Sequence, residues 1–260
     1  MADSIDELRT KVALSCRILA MMGLVREITG HVSARVPGAD EMLIRCRGVD
    51  EFGLASTAES QVRRVTFDGQ GGDLDSDHDR PLELPIHGEI LRARPDVGCV
   101  VHAHPPAILL CGLAGIDLRP IVGAYDPQAL ATVLEGIPIY PRSILINRPE
   151  LGRDLVATLG SKNVCLMRGH GFTVTGATVE QATIRAIKIE ALARISWQLA
   201  LAGRTVAPIS AEDIAAFSRR SDSPQAGIPR AEEWTWRSYV KQLEDGLPTP
   251  SDVNIGPESI

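Results

Sequence analysis

The stretch Gly98-Cys99-Val100-Val101-His102-Ala103-His104-Pro105 decides how the rest of the chain is read. Its apolar, β-branched start predicts a buried strand, and strand side chains alternate between faces, so His102 and His104 leave the strand end on the same side. Two imidazoles so placed are half of a metal site. A third, His170, stands in Met167-Arg168-Gly169-His170-Gly171 after a second apolar run, Val164-Cys165-Leu166-Met167. Three histidines that leave one coordination position open are the pattern of a catalytic metal, whereas a structural metal is enclosed. The plainer alternative for a His-x-His pair alone is polar surface at a strand end. Cys99 takes no part, because its odd offset from His102 turns it to the opposite face.

Outward from this stretch, strand and helix patterns alternate. Glu7 to Met22 carries Leu8, Val12, Ile18 and Leu19 at helical spacing and stops at Gly23. Thr29–Val36 and Met42–Arg47 flank a Pro37-Gly38 turn and predict paired strands, with another at Val62–Phe67. Residues 83–92, 106–113, 127–135, 151–159 and 178–202 predict helices, and residues 137–146 alternate like a strand. In the long helix Glu180 and Glu190 are placed on the polar side. The aspartates of residues 68–80 suggest calcium, but His78 stands where an EF-hand loop needs glycine and Leu84 where it needs glutamate; a solvated loop is expected. Past Pro208, Pro224 and Pro229, Trp234, Trp236 and Tyr239 predict a helix, followed by a loosely ordered Pro/Ser/Gly-rich end. Such alternation predicts an α/β layered domain, taken as one unit over 1–260.

The whole composition narrows the function classes. With 260 residues and 44% hydrophobic content the chain can bury a large core, and a formal net charge of −6 offers no attractive field to nucleic acid or a membrane surface. The start Met1-Ala2-Asp3-Ser4-Ile5-Asp6-Glu7 lacks the basic and apolar regions of a signal peptide, so a cytoplasmic location is expected. Five dispersed cysteines without a Cys-x-x-Cys spacing read as buried, reduced thiols.

Five motifs then occur in a telling order: Gly-His-Val-Ser at 30–33, Leu-Glu-Leu-Pro-Ile-His at 82–87, Arg-Pro-Asp-Val-Gly at 94–98, Val-His-Ala-His-Pro at 101–105 and Arg-Gly-His-Gly at 168–171. From the first helix to about Ala202 the chain resembles the class II aldolase/adducin family. The resemblance implies a three-layer α/β/α sandwich with a mainly antiparallel central sheet. It also implies one divalent metal ion per subunit, held by His102, His104 and His170, with Glu83 as catalytic acid/base. Zinc suits three imidazoles; manganese, iron or cobalt suits the added oxygen ligands. For Glu83 the alternative is an ordinary first-turn carboxylate favoured by the helix dipole. A homo-oligomer follows from the resemblance, a tetramer with sites at subunit boundaries, in which Tyr125 as a catalytic group and Tyr239 as a substrate contact reach the site and the extension from about 205 packs on a neighbour. Core packing would explain Tyr239 equally well.

The sugar-phosphate members of that family hold phosphate with a Gly-Asn turn, a Thr/Ser-Gly loop and paired serines. Here the segments read Gly30-His31, Arg47-Gly48 and Pro81-Leu82-Glu83, without the hydroxyls a buried dianion needs. His31 and Arg47 suit a carboxylate instead. Together with residues 82–87, 101–106 and Gly123-Ala124-Tyr125, this resembles the family's decarboxylase branch, which acts on ortho-hydroxylated aromatic or pyridine dicarboxylates. The implied chemistry is loss of carbon dioxide beside a metal-bound oxygen, with protonation of the ring carbon by Glu83 or His87, four residues on and on the same helix face. Ser33 and Arg168 join the substrate-binding candidates, although Arg168 suits a structural ion pair equally. The alternatives are an aldolase for a non-phosphorylated hydroxy-keto acid and a non-catalytic, adducin-like scaffold.

Overall fold

A computed structural model of the chain describes residues 3–221 and 228–246. The first helix, α1 (Ile5–Met21), starts at a reciprocal cap: Ser4 Oγ accepts from the Glu7 amide at 3.2 Å, and the Ser4 amide donates to Glu7 Oε2 at 2.7 Å. Strands β1 (His31–Arg35) and β2 (Glu41–Arg45) form the expected antiparallel pair, and a short ribbon joins β3 (Arg47–Gly48) to β5 (His78–Asp79). Between them lies β4 (Val62–Thr66). Helix α2 (Leu84–Ala93) leads into β6 (Cys99–Ala103), and α3 (Pro106–Ala114) and α4 (Pro127–Glu135) follow. Then come β7 (Ile139–Tyr140), α5 (Pro149–Leu159), β8 (Val164–Met167), β9 (Gly171–Gly176), α6 (Val179–Leu201), α7 (Ala211–Ser221) and α8 (Ile228–Asp245).

Seven strands form one sheet in the order β4-β2-β1-β6-β9-β8-β7, antiparallel throughout except for the β7–β8 pair. Period-two alternation divides its side chains between two cores. Val32, Ala34, Leu43, Cys99, Val101, Ala103, Phe172 and Val174 pack with α1, α3, α4 and α6 on one face. Met42, Ile44, Val65, Val100, Cys165 and Met167 pack with α2 and α5 on the other. Three layers result, the α/β/α sandwich with a mainly antiparallel sheet. All five cysteines are buried and free, and Cys99 faces the layer opposite His102, as its offset requires.

Several local expectations change. Residues 137–146 contribute only the two-residue β7, because Pro138 and Pro141 remove ladder donors on either side of it. Strand β9 was not anticipated; Gly171, Thr173 and Thr175 dilute its apolar signal, yet all three are buried. Helix α7 was also not anticipated. Glu190, placed on the polar side of its helix, is buried. The aspartate-rich loop is held by ion pairs, Arg9 to Asp73 at 2.6 Å and Arg63 to Asp75 at 2.5 Å. Helix α8 packs on α1 and α6 of its own chain, with Trp236 buried and Tyr239 half-buried against that core. Pro224 and the end beyond residue 246 lie outside the described residues. Among the described residues no helix is long and apolar enough to cross a membrane.

Candidate metal centre

His102 lies on β6, the middle strand of the sheet, directly opposite His31 of β1 and Thr173 of β9. Its Nδ1 is 3.1 Å from the Phe172 carbonyl oxygen, which can only accept, so Nδ1 carries a proton and Nε2 is the atom left to face a cation. His104 follows two residues later on the connection out of β6, with its Nε2 3.0 Å from His102 Nε2. His170 sits in the turn between β8 and β9, where its amide donates to the Met167 carbonyl at 3.0 Å. Two glycines shape that turn. Gly169 adopts φ +66°, and a side chain on Gly171 would place its Cβ 2.2 Å from the Ala103 carbonyl oxygen.

Glu83 immediately precedes α2 and is buried. Its Oε1 accepts from the Ile146 amide at 2.9 Å, leaving Oε2 3.2 Å from His102 Nε2 and 3.4 Å from His170 Nε2. Donor atoms of Glu83, His102, His104 and His170 all lie within 4.8 Å of one another. The chemistry of this set favours a cation. In their neutral forms the imidazoles turn lone pairs toward a carboxylate oxygen, and one divalent ion satisfies all of them together. Protons on His102 and His170 can stand in for that ion: burial alone would raise the Glu83 carboxyl, but hydrogen bonds and charge from those two imidazoles outweigh it and hold the carboxyl well below the usual range. Burial, followed by His102 and His170, lowers His104 to about 3, so it is neutral at neutral pH, as a ligand must be.

A second histidine pair lies on the buried side of His102. The His31 ring stacks on that of His102, with centroids 5.6 Å apart, and meets His87 edge-on at 5.7 Å. His87 is fully buried and its Nδ1 is 2.7 Å from Ser33 Oγ. Burial above all, then neighbouring His102, lowers His87 to about 3; burial, His102 and His87 lower His31 well below its ordinary value. Ser33, His31 and His87 therefore form a neutral, packed support beneath the centre.

The remaining candidates stand apart. Among the described residues no hydrogen bond or ion pair links Arg47, Arg168, Tyr125 or Tyr239 to the four donors. Arg47 Nη2 points to the Ile28 carbonyl at 3.5 Å. Arg168 is exposed and bonded through its backbone, to Tyr140 and Ser143. Tyr125 is 77% exposed and borders a cavity of about 560 Å³ with Lys188 and Phe217. Burial raises the Tyr239 phenol. Sequence reasoning missed the Ile146 amide, which any residue but proline could supply, and the Phe172 carbonyl, which any residue could.

The fold is an α/β/α sandwich that carries a His/Glu cluster able to hold a metal ion. The chain belongs to the class II aldolase and adducin family, whose "Class II Aldolase and Adducin N-terminal domain" matches residues 10–197. It is 43% identical to the 3,4-dihydroxyphthalate decarboxylase of Rhodococcus jostii over 239 residues, 91% of this chain and 96% of the relative. Its identity to the 3,4-dihydroxyphthalate decarboxylase of Arthrobacter keyseri is 42% over 238 residues, 90% of this chain and 93% of the relative. Among solved structures, an aldolase II superfamily protein from Pseudomonas syringae superposes with a TM-score of 0.78 at 24% identity, covering 95% of this chain and 96% of that one.

Proposed function

We propose that this protein is a divalent-metal-dependent lyase that decarboxylates an ortho-hydroxylated aromatic dicarboxylate, with a dihydroxyphthalate as the leading substrate. The convergence of Glu83 with His102, His104 and His170, in a chain 43% identical to a 3,4-dihydroxyphthalate decarboxylase, carries this reading. His102, His104 and His170 would hold zinc or manganese, or alternatively iron or cobalt, which supplies Lewis acidity toward a phenol oxygen and its adjoining carboxylate.

The chain's own residues handle the proton. Glu83 has one oxygen fixed by the Ile146 amide and the other turned to the donor cluster, so it is placed to take the proton of a phenol whose own acidity a metal would raise. As the carbon–carbon bond breaks, its electron pair stays on the ring and carbon dioxide leaves. Glu83 then returns the proton to that ring carbon, which balances the reaction. His87 is less suited to that delivery, since it is fully buried and engaged with Ser33, and it serves by packing His31 against His102. In this reading the active form is a cytoplasmic homotetramer. Arg47, Arg168 and the exposed Tyr125 contact substrate at a subunit boundary, and Tyr239 supports that wall.

The test is carbon dioxide release from 3,4-dihydroxyphthalate by metal-quantified wild type beside His102→Ala. Release by wild type alone is expected. An aldehyde product from a hydroxy-keto acid, without carbon dioxide from any dicarboxylate, would replace the reading with an aldolase.

A further inference from the structure

Glu190 is an ionisable side chain, 3% exposed, in the middle of α6, and the proposed chemistry makes no use of it. Its two carboxylate oxygens accept from the amides of Ala107, at 3.2 Å, and Ile108, at 3.1 Å. Those amides begin α3, just beyond His104. The first turn of a helix leaves its N-terminal amides without partners, and ordinarily a Ser, Thr, Asp or Asn at the cap serves them. Here the cap and the first helical position are Pro105 and Pro106, which have neither a capping oxygen nor an amide hydrogen. The Leu109 amide already donates to the Pro105 carbonyl at 3.0 Å. Ala107 and Ile108 therefore carry the unpaired amides of this end, and Glu190 takes both from a different helix.

His104 needs such support more than His102 does. The His102 ring is fixed by the Phe172 carbonyl and by the stack on His31. His104 lies past the end of β6, and among the described residues its ring has no hydrogen bond except the 3.0 Å approach to His102 Nε2. Its position is thus set by the backbone on either side: β6, which is paired to β9, and the start of α3, which Glu190 anchors to α6. We propose that Glu190 is a positioning residue for His104, holding the strand-to-helix connection so that this imidazole faces the other donors. The proposal rests on the metal-site reading above.

The test measures zinc affinity by competition with a chromogenic chelator in wild type, Glu190→Ala, Glu190→Gln and Thr183→Ala. Thr183 is also buried on α6, where its hydroxyl contacts Ser15 Oγ at 2.6 Å, so its loss reports general weakening of the helix packing. Outer-shell changes typically cost about 10- to 100-fold in metal affinity, and Glu190→Ala is expected in that range. Glu190→Gln, which keeps one acceptor, should lose less, and Thr183→Ala should bind as wild type does despite lower stability. Amide exchange of the metal-free proteins should quicken at Ala107 and Ile108 in Glu190→Ala alone, or in Glu190→Gln if the alanine variant does not fold. Wild-type affinity and protection in both Glu190 variants would overturn the role while leaving the centre standing. Failure of wild type to bind zinc, manganese, iron or cobalt would remove the functional reading and this role with it.

Discussion

His31 and His102 sit directly opposite one another across the β1–β6 ladder, and their rings stack with an interplanar angle of 20°. The stack bears on one side of His102 while the Phe172 carbonyl holds its Nδ1. A flat aromatic should serve as well as an imidazole there. His31→Phe is expected to keep metal affinity within a few-fold, whereas His31→Ala should weaken it about tenfold, as measured by chelator competition.

Glu83→Gln keeps an acceptor for the Ile146 amide but cannot carry the proton. Carbon dioxide release should fall by roughly two to four orders of magnitude, while bound metal per chain, read by mass spectrometry, stays within a factor of two. Equal loss of metal and activity would make Glu83 a ligand with no proton role.

Acid should weaken the metal-free fold through His87. The unfolded chain takes up a proton there near pH 6.5, which the folded protein refuses until about pH 3, so stability falls as pH drops through that window. The single-site contribution is on the order of 5 kcal/mol at most. Urea unfolding between pH 7 and 4 should show a shallower decline in His87→Asn than in wild type, by about one proton.

Glu190 works in the other direction. Burial lifts its carboxyl from 4.5 to about 7, against the pull of the Ala107 and Ile108 amides and Arg194. Its stabilising contribution is present below pH 4.5 and is lost as pH rises through 7, an effect of about 3 kcal/mol. Relative to Glu190→Gln, wild type should become progressively less stable between pH 5 and 8; parallel urea midpoints across that range would contradict the buried titration.

Gly171→Ala would push its Cβ to 2.2 Å from the Ala103 carbonyl oxygen, a backbone atom of β6 that cannot move without opening the β6–β9 pair. We expect roughly 2 kcal/mol or more of destabilisation and loss of metal binding together, read by thermal unfolding and zinc titration. Gly112→Ala, where a Cβ meets nothing within 4 Å and the backbone is helical, should leave metal binding unchanged.

The strand that carries His102 was legible because an apolar run and period-two spacing fix both the element and the face of its imidazole. His170 was legible from the same kind of run. Strand β9 escaped notice because a central strand filled with glycine and threonine lacks the apolar signature, although buried Thr173 packs its hydroxyl against Met167 Sδ at 3.3 Å. Glu190 escaped for a different reason: a glutamate within a helix ordinarily faces water, and only the missing cap at Pro105-Pro106, far away in sequence, gives it a buried task. The hold on Glu83 through the Ile146 amide leaves no mark in side-chain identity at all.

The four donors enter from three separate stretches: the start of α2, the end of β6 and the β8–β9 turn. An ion bound among them is therefore a tie-bar through the middle of the sheet, and removing it loosens the scaffold as well as the chemistry. At a free ion concentration a hundred times the dissociation constant such a tie is worth about 2.7 kcal/mol. The melting temperature should then climb with the logarithm of the ion supplied, making the fold its own gauge of metal availability.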